Sequence, residues 1–286
     1  MEELYSYSKI SSFHNCSWSW YLRYIKGIEG KDNVYGILGN VIHDCYEEIT
    51  KGELTIDNAI QTFSENYYKC IEEGYKFPTE NSGDKYYKDI IHSFKLFENF
   101  KGYEMKQEMY FEHELCNIKF RGYIDLVLIN HKDKTIRILD WKSSSKFSKK
   151  DLESNKVFQL ILYSLVIKDT LGEEYKTYKV LNPVFYMLKY CEVKRKSTGR
   201  KSVIERVDLN DTYEYCNPFL VEINYNQDMI NKLKDYINDV YIDIILRDTG
   251  DETEWYPCET NEFFCKNLCG YCEDCKFYKP NKYNKQ

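Results

Sequence analysis

Three residues near the middle of the 286-residue chain have types and spacings that suit metal-dependent phosphodiester hydrolysis. Asp125 ends a short apolar segment, and Asp140 and Lys142 flank Trp141 near the end of another. Alternate side chains of an extended strand share a face, so Asp140 and Lys142 should project together. Two carboxylates on adjacent strands can bind Mg2+, and a lysine beside them can orient an attacking water. We therefore expect a catalytic site at Asp125, Asp140 and Lys142.

Each signal is weak alone, because an isolated Asp-x-Lys on a strand is usually a surface feature. Their order along the chain is more specific. Gly122-Tyr123-Ile124-Asp125 is followed about 15 residues later by Asp140-x-Lys142, and then by Gln159 and Tyr163, one turn apart on a helix face. This succession resembles the RecB-like branch of the PD-(D/E)xK nuclease superfamily. The resemblance implies that Gln159 and Tyr163 position substrate and active-site groups.

The same branch has an upstream His in a Gly-x-x-x-His helix, and the segment from Gly39 to His43 fits that pattern. Helical geometry places His43 just outside the apolar arc, on the face that carries Glu47. A histidine in that position is usually solvent-facing, but the resemblance implies that His43 is a metal ligand through its neutral imidazole. Glu47 is then either a partner of the imidazole or a plain surface residue. Three further acidic residues are expected to face solvent and are not assigned to the site: Glu108, Glu112 and Glu114.

The chain contains eleven Cys, a high count that favours metal ligation over disulfides in a protein without a secretory signal. Five lie between Cys258 and Cys275, and the last three form a C-x2-C-x2-C run that favours iron-sulfur over zinc. Iron-sulfur members of the resembled branch place one Cys before the nuclease core and three after it. The resemblance implies a 4Fe-4S cluster with four ligands: Cys16, Cys269, Cys272 and Cys275.

Two alternatives remain for the cysteine site. The last gap of the run is shorter than is common in the branch, and Cys265 is a rival third ligand in the tail. Zinc could instead bind to the tail alone, through Cys265, Cys269, Cys272 and Cys275, which would leave Cys16 as a buried core residue. If Cys16 is a ligand, the metal joins both ends of the chain and acts as a structural staple.

Apolar periodicity predicts the elements that position these residues. Helices are expected at 8–24, 39–50, 56–73, 85–103, 155–171 and 227–247, and strands at 108–115, 118–129, 135–141, 179–194 and 202–209. The first three strands should form an antiparallel meander. The pattern predicts an α/β fold with helical and Cys-bearing segments at its two ends. The resemblance implies that this fold is a restriction-endonuclease-like core with a mixed central sheet flanked by helices, an N-terminal helical segment and a C-terminal Cys-rich iron-sulfur segment. We expect one nuclease domain over 1–286, divided into an N-terminal segment (1–38), a helical region (39–106), the core (107–247) and the tail (248–286).

The composition of the chain excludes fewer kinds of binding partner than its motifs do. The formal net charge of -6 neither supports nor excludes a nucleic-acid partner. Two basic runs, 142–150 and 189–201, are as consistent with solvated faces as with phosphate tracks. No segment is long and apolar enough to span a bilayer and no secretory signal is found, so a cytoplasmic (intracellular) location without membrane contact is expected. The absence of a phosphate-binding loop means that any DNA unwinding requires a helicase or recombination partner.

The resemblance implies a DNA nuclease in which Mg2+ or Mn2+ binds to His43, Asp125 and Asp140. Relatives suggest an exonuclease that acts on single-stranded DNA ends in recombination, repair or phage DNA processing. The residues do not separate an exonuclease from an endonuclease. The alternative is a non-catalytic, metal-stabilised DNA-binding or assembly protein with a nuclease-like core. The intact set of Asp125, Asp140 and Lys142 argues against it.

Overall fold

The computed structural model describes residues 4–257, 262–273 and 275–278. In this part of the chain a mixed seven-stranded sheet has helices on both faces, which confirms the predicted α/β class. The helices are α1 (Tyr7–Asn15), α2 (Ser17–Tyr24), α3 (Val34–Lys51), α4 (Ile56–Glu72), α5 (Glu80–Lys95), α6 (Lys149–Leu152), α7 (Phe158–Leu171), α8 (Gln227–Leu246) and α9 (Glu262–Asn267). The strands are β1 (Glu104–Leu115), β2 (Ile118–Asn130), β3 (Thr135–Lys142), β4 (Lys179–Val180), β5 (Val184–Arg195), β6 (Lys201–Glu205) and β7 (Tyr213–Glu222).

The sheet order is β1-β2-β3-β5-β6, with β4 beside β3 and β7 beside β5. Strands β1, β2 and β3 pair antiparallel, as the predicted meander requires. Strands β3 and β5 pair parallel, and α7 lies in the connection between them. A parallel pair needs such a long crossover, because a tight turn can join only antiparallel strands.

Each face of the sheet packs on its own group of helices. Helices α1, α2, α7 and α8 cover one face, and α3, α4 and α5 cover the other. Along β3, Ile138 faces the first group and Leu139 the second, and both are buried. This two-sided burial explains why apolar residues of β3 occur on both of its faces, although Arg137 and Asp140 interrupt them. A polar residue near the end of such a strand is therefore held in a largely buried setting.

The segment 8–24, which is expected to be helical, forms two helices that meet at Cys16. The Cys16 backbone is extended, with φ -160° and ψ 102°, so it interrupts the helical hydrogen bonding. The Ser17 hydroxyl donates to the Tyr256 carbonyl oxygen at 2.6 Å and ties the break to the C-terminal part of the chain. The break leaves Cys16 buried at the start of α2.

Other boundaries differ from expectation for local reasons. Helix α3 starts five residues early, because the Asn33 side chain accepts the Gly36 N–H and caps it. Helix α5 ends at Lys95 rather than 103, and β1 begins at Glu104. The expected strand at 179–194 is two strands, separated by a segment that contains Pro183, which has no N–H to donate. Strand β7 was not predicted.

The Cys-rich tail packs on the loop that precedes α3. The Lys31 N–H donates to the Gly270 carbonyl oxygen at 2.9 Å, and the Tyr271 hydroxyl donates to the Ile28 carbonyl oxygen at 2.8 Å. A Cβ atom at Gly270 would lie only 2.5 Å from the Lys31 carbonyl oxygen, so this close backbone approach requires glycine. Cys258, part of the predicted tail cluster, lies outside the described residues. None of the helices in the described ranges is long and apolar enough to cross a membrane.

Candidate functional site

The sheet register brings the two motif aspartates together. The β2–β3 ladder ends at the pair Leu126–Leu139, and the same register places Asp125 opposite Asp140, one residue further on. The Trp141 N–H donates to Asp125 Oδ2 at 3.2 Å, so a side chain continues the pairing where the backbone ladder stops. The Asp125 side chain is 16% exposed and the Asp140 side chain 4%. Two nearly buried carboxylates thus lie opposite each other on adjacent strands, at the point where the pairing of β2 with β3 ends.

Lys142 lies directly beside Asp140. Its Nζ is 2.6 Å from Asp140 Oδ2 and 5.4 Å from the centre of the Phe185 ring. Burial alone would lower the pKa of Lys142, but attraction to Asp140 and then to Asp125 outweighs it, and the pKa is raised. Lys142 is therefore a fixed cation at neutral pH rather than a proton acceptor. It can stabilise negative charge that develops beside the carboxylates.

The carboxylate pair has the chemistry of a hard-cation site. Burial, followed by repulsion from Asp140, raises the pKa of Asp125 well above its usual range. A bound divalent cation would relieve both effects and would polarise a phosphoryl oxygen. Within the described ranges, no three His, Cys, Asp or Glu side chains are already arranged so that they could hold a metal ion. The carboxylate oxygens are suitable ligands for Mg2+ or Mn2+, but the side chains would have to move closer together to coordinate the ion.

His43 reaches this pair from α3. Its Nδ1 lies 3.3 Å from Asp125 Oδ2, and its side chain is 36% exposed. Burial lowers the pKa of His43, so the imidazole is neutral at pH 7. A neutral imidazole is the form that binds metals. Glu47, the suggested partner of this imidazole, forms an ion pair with Lys51 instead.

Gln159 and Tyr163 lie on α7 and contact each other. Gln159 Nε2 donates to the Tyr163 hydroxyl oxygen at 2.8 Å, and the Tyr163 ring packs edge-on against Phe111 with centroids 5.5 Å apart. Burial, followed by the charge of Asp140, raises the pKa of Tyr163. The Tyr163 hydroxyl therefore keeps its proton and remains a hydrogen-bond donor near the carboxylates.

Glu108 is a candidate that the sequence interpretation left out. Its neighbours Gln107 and Met109 pair with Leu126 and Ile124, so Glu108 lies opposite Asp125. Its φ of 43° is in the left-handed region, which is unusual for a residue other than glycine. Burial and the charges of Glu47 and Asp44 raise the pKa of Glu108. No sequence signal separates Glu108 from the other glutamates of β1; only the backbone conformation does.

The comparison with protein families identifies the superfamily to which this chain belongs. A family model described as the PD-(D/E)XK nuclease superfamily matches residues 5–277, almost the whole chain. The chain belongs to the PD-(D/E)XK nuclease superfamily. Nucleases of this superfamily generally use divalent metals such as Mg2+. The match includes both carboxylate motifs and the described part of the cysteine tail.

This nuclease-superfamily chain is also similar to a solved structure. A crystal structure of a candidate exonuclease from Eubacterium rectale is 15% identical, and the likeness covers 97% of this chain and 90% of that chain with a TM-score of 0.46. A comparison with curated proteins gives no match.

A second candidate site of this PD-(D/E)XK chain is a cavity of about 320 Å³ between the N-terminal helices and the tail. Burial, followed mainly by the neighbouring sulfurs, raises the pKa of the Cys269 thiol to about 11. Such thiols lose their protons when a metal binds, so the donor set fits a thiolate-bound metal. The four predicted ligands and the rival all line this cavity, but within the described residues no three of them are arranged to hold a metal ion: Cys16, Cys265, Cys269, Cys272 and Cys275.

Proposed function

We propose that this nuclease is a divalent-metal-dependent deoxyribonuclease that degrades single-stranded DNA from its ends. The observation that carries the proposal is the buried pair Asp125 and Asp140 with the Lys142 ammonium 2.6 Å from Asp140. A purely structural site has no need for two largely buried carboxylates beside a partly buried ammonium, because removing charged groups from water is costly even when they are paired.

Each residue has a role that its surroundings suit. Asp125, Asp140 and His43 would hold Mg2+ or Mn2+. Lys142 orients the attacking water and stabilises the charge that develops on the phosphoryl oxygens. The protonated Tyr163 hydroxyl, held by Gln159, donates a hydrogen bond to the substrate.

The surface next to Lys142 suits a phosphate backbone despite the net charge of -6. A pocket of about 460 Å³ adjoins the end of β3 and is lined by Lys146, Lys189 and the hydroxyl-bearing segment Ser143–Ser145, among others. Lysines and hydroxyls are common partners of phosphate oxygens. Local positive charge, rather than the net charge, decides whether DNA approaches this surface.

We also propose that Cys16, Cys269, Cys272 and Cys275 bind a 4Fe-4S cluster that joins the two ends of the chain. The shared cavity and the contacts of 28–33 with 268–271 support this staple. Protein purified without oxygen should carry about four irons per chain. Cys16→Ser should lose them, whereas Cys265→Ser should keep them. One zinc per chain that persists in Cys16→Ser would establish the tail-only alternative.

The function is tested with linear and circular single-stranded DNA of one sequence, each incubated with Mg2+, Mn2+ or EDTA. We expect the linear strand to be shortened from its ends with either metal and the circle to remain intact. Cleavage of the circle would identify an endonuclease. If neither substrate is cut with either metal, the chain is the non-catalytic DNA-binding or assembly protein. A nuclease that requires unpaired ends needs a helicase partner to act on duplex DNA. Repair, recombination and phage DNA processing are processes in which such ends arise.

A further inference from the structure

Two tyrosine rings form an exposed aromatic surface on the β1–β2 hairpin. Tyr110 and Tyr123 pair directly across the ladder, and their ring centroids lie 5.2 Å apart with an interplanar angle of 52°. Tyr123 is 56% exposed and Tyr110 44%, whereas the adjacent Phe111 and Ile124 are buried. Single exposed tyrosines are common, but this pair offers two adjoining ring faces, tilted to each other, against which a base can stack.

This aromatic pair lies next to the catalytic carboxylates. Tyr123 precedes Asp125 by two residues, which corresponds to about 7 Å along a strand. Tyr110 follows Glu108, the residue opposite Asp125, by the same interval. A nucleotide adjacent to a phosphate at Asp125 would therefore be within reach of both rings.

The same strand continues from the tyrosines to a basic pocket. Lys119, Arg121 and Tyr123 are exposed and alternate with buried residues, so they share one face of β2. Arg121 also lines a surface pocket of about 560 Å³ together with Ser6, Ser8, Lys9, Arg23 and Tyr24.

The two arginines of this pocket carry the positive charge that an anion would meet, although Glu112 is the cross-strand partner of Arg121 and accepts a hydrogen bond from the Tyr110 hydroxyl. Within the described residues, neither Arg23 nor Arg121 forms an ion pair with a carboxylate. Lys9 adds a buried positive charge behind them, with its ammonium 4.6 Å from the Tyr5 ring centre and 4.8 Å from that of Tyr24. Guanidinium groups beside serine hydroxyls are a common phosphate-binding arrangement.

We propose that the unpaired DNA strand runs from Asp125 along the exposed face of β2, with one base stacked on Tyr123 and bordered by Tyr110, and a backbone phosphate bound by Arg121 and Arg23. This inference rests on the proposed nuclease function and names the residues that select single-stranded substrate. The bases of a duplex are paired and stacked inside the helix, so they cannot lie on the tyrosines. An unpaired base of any type has a free face to stack.

We call the proposed path from Asp125 past Tyr123 to Arg121 and Arg23 the DNA track. Measurement of DNA affinity in EDTA tests this track separately from catalysis, because no cleavage occurs without a divalent metal. The probe is a fluorescein-labelled oligo(dT) strand, compared with a duplex of equal length. Tyr123→Leu should weaken oligo(dT) binding about 5- to 150-fold, the range that loss of one stacked base gives. Tyr123→Trp should retain affinity, which shows that stacking and not fold integrity is measured. Tyr68→Leu is the matched control, because Tyr68 is also 56% exposed but lies on α4.

An abasic strand isolates the contact with the base. Wild type and Tyr123→Leu should bind it equally, since no base is left to stack. The phosphate contact is tested separately by the salt dependence of binding: Arg121→Gln and Arg23→Gln should each reduce the slope of log affinity against log salt by about 0.7. Arg200→Gln, on the exposed β5–β6 turn, should not change the slope.

Two results would overturn the track. One is equal affinity of Tyr123→Leu and Tyr68→Leu for oligo(dT). The other is that Tyr123→Leu binds the abasic strand more weakly than wild type by the same factor as it does oligo(dT). The nuclease assay of the wild type gives an independent answer. If the wild type cuts DNA and the tyrosine variants bind normally, the track is wrong and the catalytic site stands. If the wild type is inert and the binding pattern is as expected, catalysis is wrong and the track stands.

Discussion

Gly122 lies directly opposite Phe111 in the β1–β2 ladder, and the Phe111 ring fills the space that a side chain at position 122 would occupy. A Cβ atom there would be 2.8 Å from Phe111 Cε1. The same ring packs against Tyr163 on α7. The glycine of the Gly-x-x-Asp motif is thus explained by packing: it lets Phe111 lie flat on β2 and support a residue of the candidate site.

Gly122→Ala should therefore disturb both stability and activity. Overpacking of this kind costs about 1–3 kcal/mol of unfolding free energy. Displacement of Phe111 should also lower kcat, because Tyr163 loses its support. Thermal unfolding and nuclease rates on single-stranded DNA measure the two effects.

The control for Gly122→Ala is Gly39→Ala on α3, where nothing lies within 4 Å of the new Cβ. This helical substitution should stabilise the protein by about 0.5–1 kcal/mol. If Gly122→Ala is as stable and active as Gly39→Ala, the packing explanation of the motif glycine is wrong.

Asp89 should make stability depend on pH. Burial raises the pKa of Asp89 to about 6, although its Oδ1 accepts the Val207 N–H at 2.7 Å. An acid with a raised folded-state pKa stabilises the fold fully below its unfolded pKa of about 3.9, and this contribution is lost as pH rises through 6. The loss amounts to about 3 kcal/mol at pH 7.

Asp89→Asn keeps the acceptor for Val207 without the charge. The unfolding free energy of this variant, relative to wild type, should rise by about 2 kcal/mol between pH 4 and pH 7, as measured by urea unfolding. Asp84→Asn, at an exposed position of the same helix, is the control for replacing a carboxylate with an amide. A pH-independent difference for Asp89→Asn would refute the assigned burial effect.

His43→Asn should weaken metal binding more than it weakens DNA binding. Loss of a metal ligand or its close support typically costs about 10- to 100-fold in affinity. The Mn2+ concentration for half-maximal nuclease rate should rise by that factor. His113→Asn is the control, since His113 Nδ1 also faces a carboxylate, that of Asp169 at 4.0 Å, away from the motif residues. Equal Mn2+ requirements for the two variants would remove His43 from the ligand set.

We expect the native Glu108 to lower the stability of the fold and to raise the nuclease rate. Its left-handed backbone costs about 1 kcal/mol, which Glu108→Gly should recover while the nuclease rate falls through loss of the carboxylate. Lys134 has a similar φ of 50° in the β2–β3 turn, so Lys134→Gly should gain stability without loss of rate. Denaturant unfolding and initial rates measure both. A fully active Glu108→Gly would show that the strained residue has no catalytic role.

The strand residues of the candidate site can be placed from the sequence more readily than its helix residues. Strand alternation places Asp140 and Lys142 on one face, and antiparallel pairing of β2 with β3 places Asp125 beside them. The contributions of His43, Gln159 and Tyr163 rest on the resemblance, because helical periodicity gives a face but not the helix's position over the sheet.

Other features depend on tertiary contacts that no local pattern encodes. The helix break at Cys16 is tied to residue 256 through the Ser17 hydroxyl. Strand β7 contains Pro218 and pairs with β5 through two register shifts, so its sequence lacks regular alternation. The left-handed backbone of Glu108 lies between the paired residues Gln107 and Met109, and no sequence pattern in β1 marks that position.

The central claim is that Asp140 and Lys142 form the catalytic centre of a metal-dependent nuclease. The most direct test is the single-turnover rate of nucleotide release from linear single-stranded DNA in Mn2+, for wild type, Asp140→Asn, Lys142→Met and the exposed control Asp169→Asn. We expect wild type and Asp169→Asn to be equally fast, and the other two to be slower by at least about 100-fold. Rates for Asp140→Asn and Lys142→Met that equal the wild-type rate, or a wild type that releases nucleotides as fast in EDTA, would contradict the account.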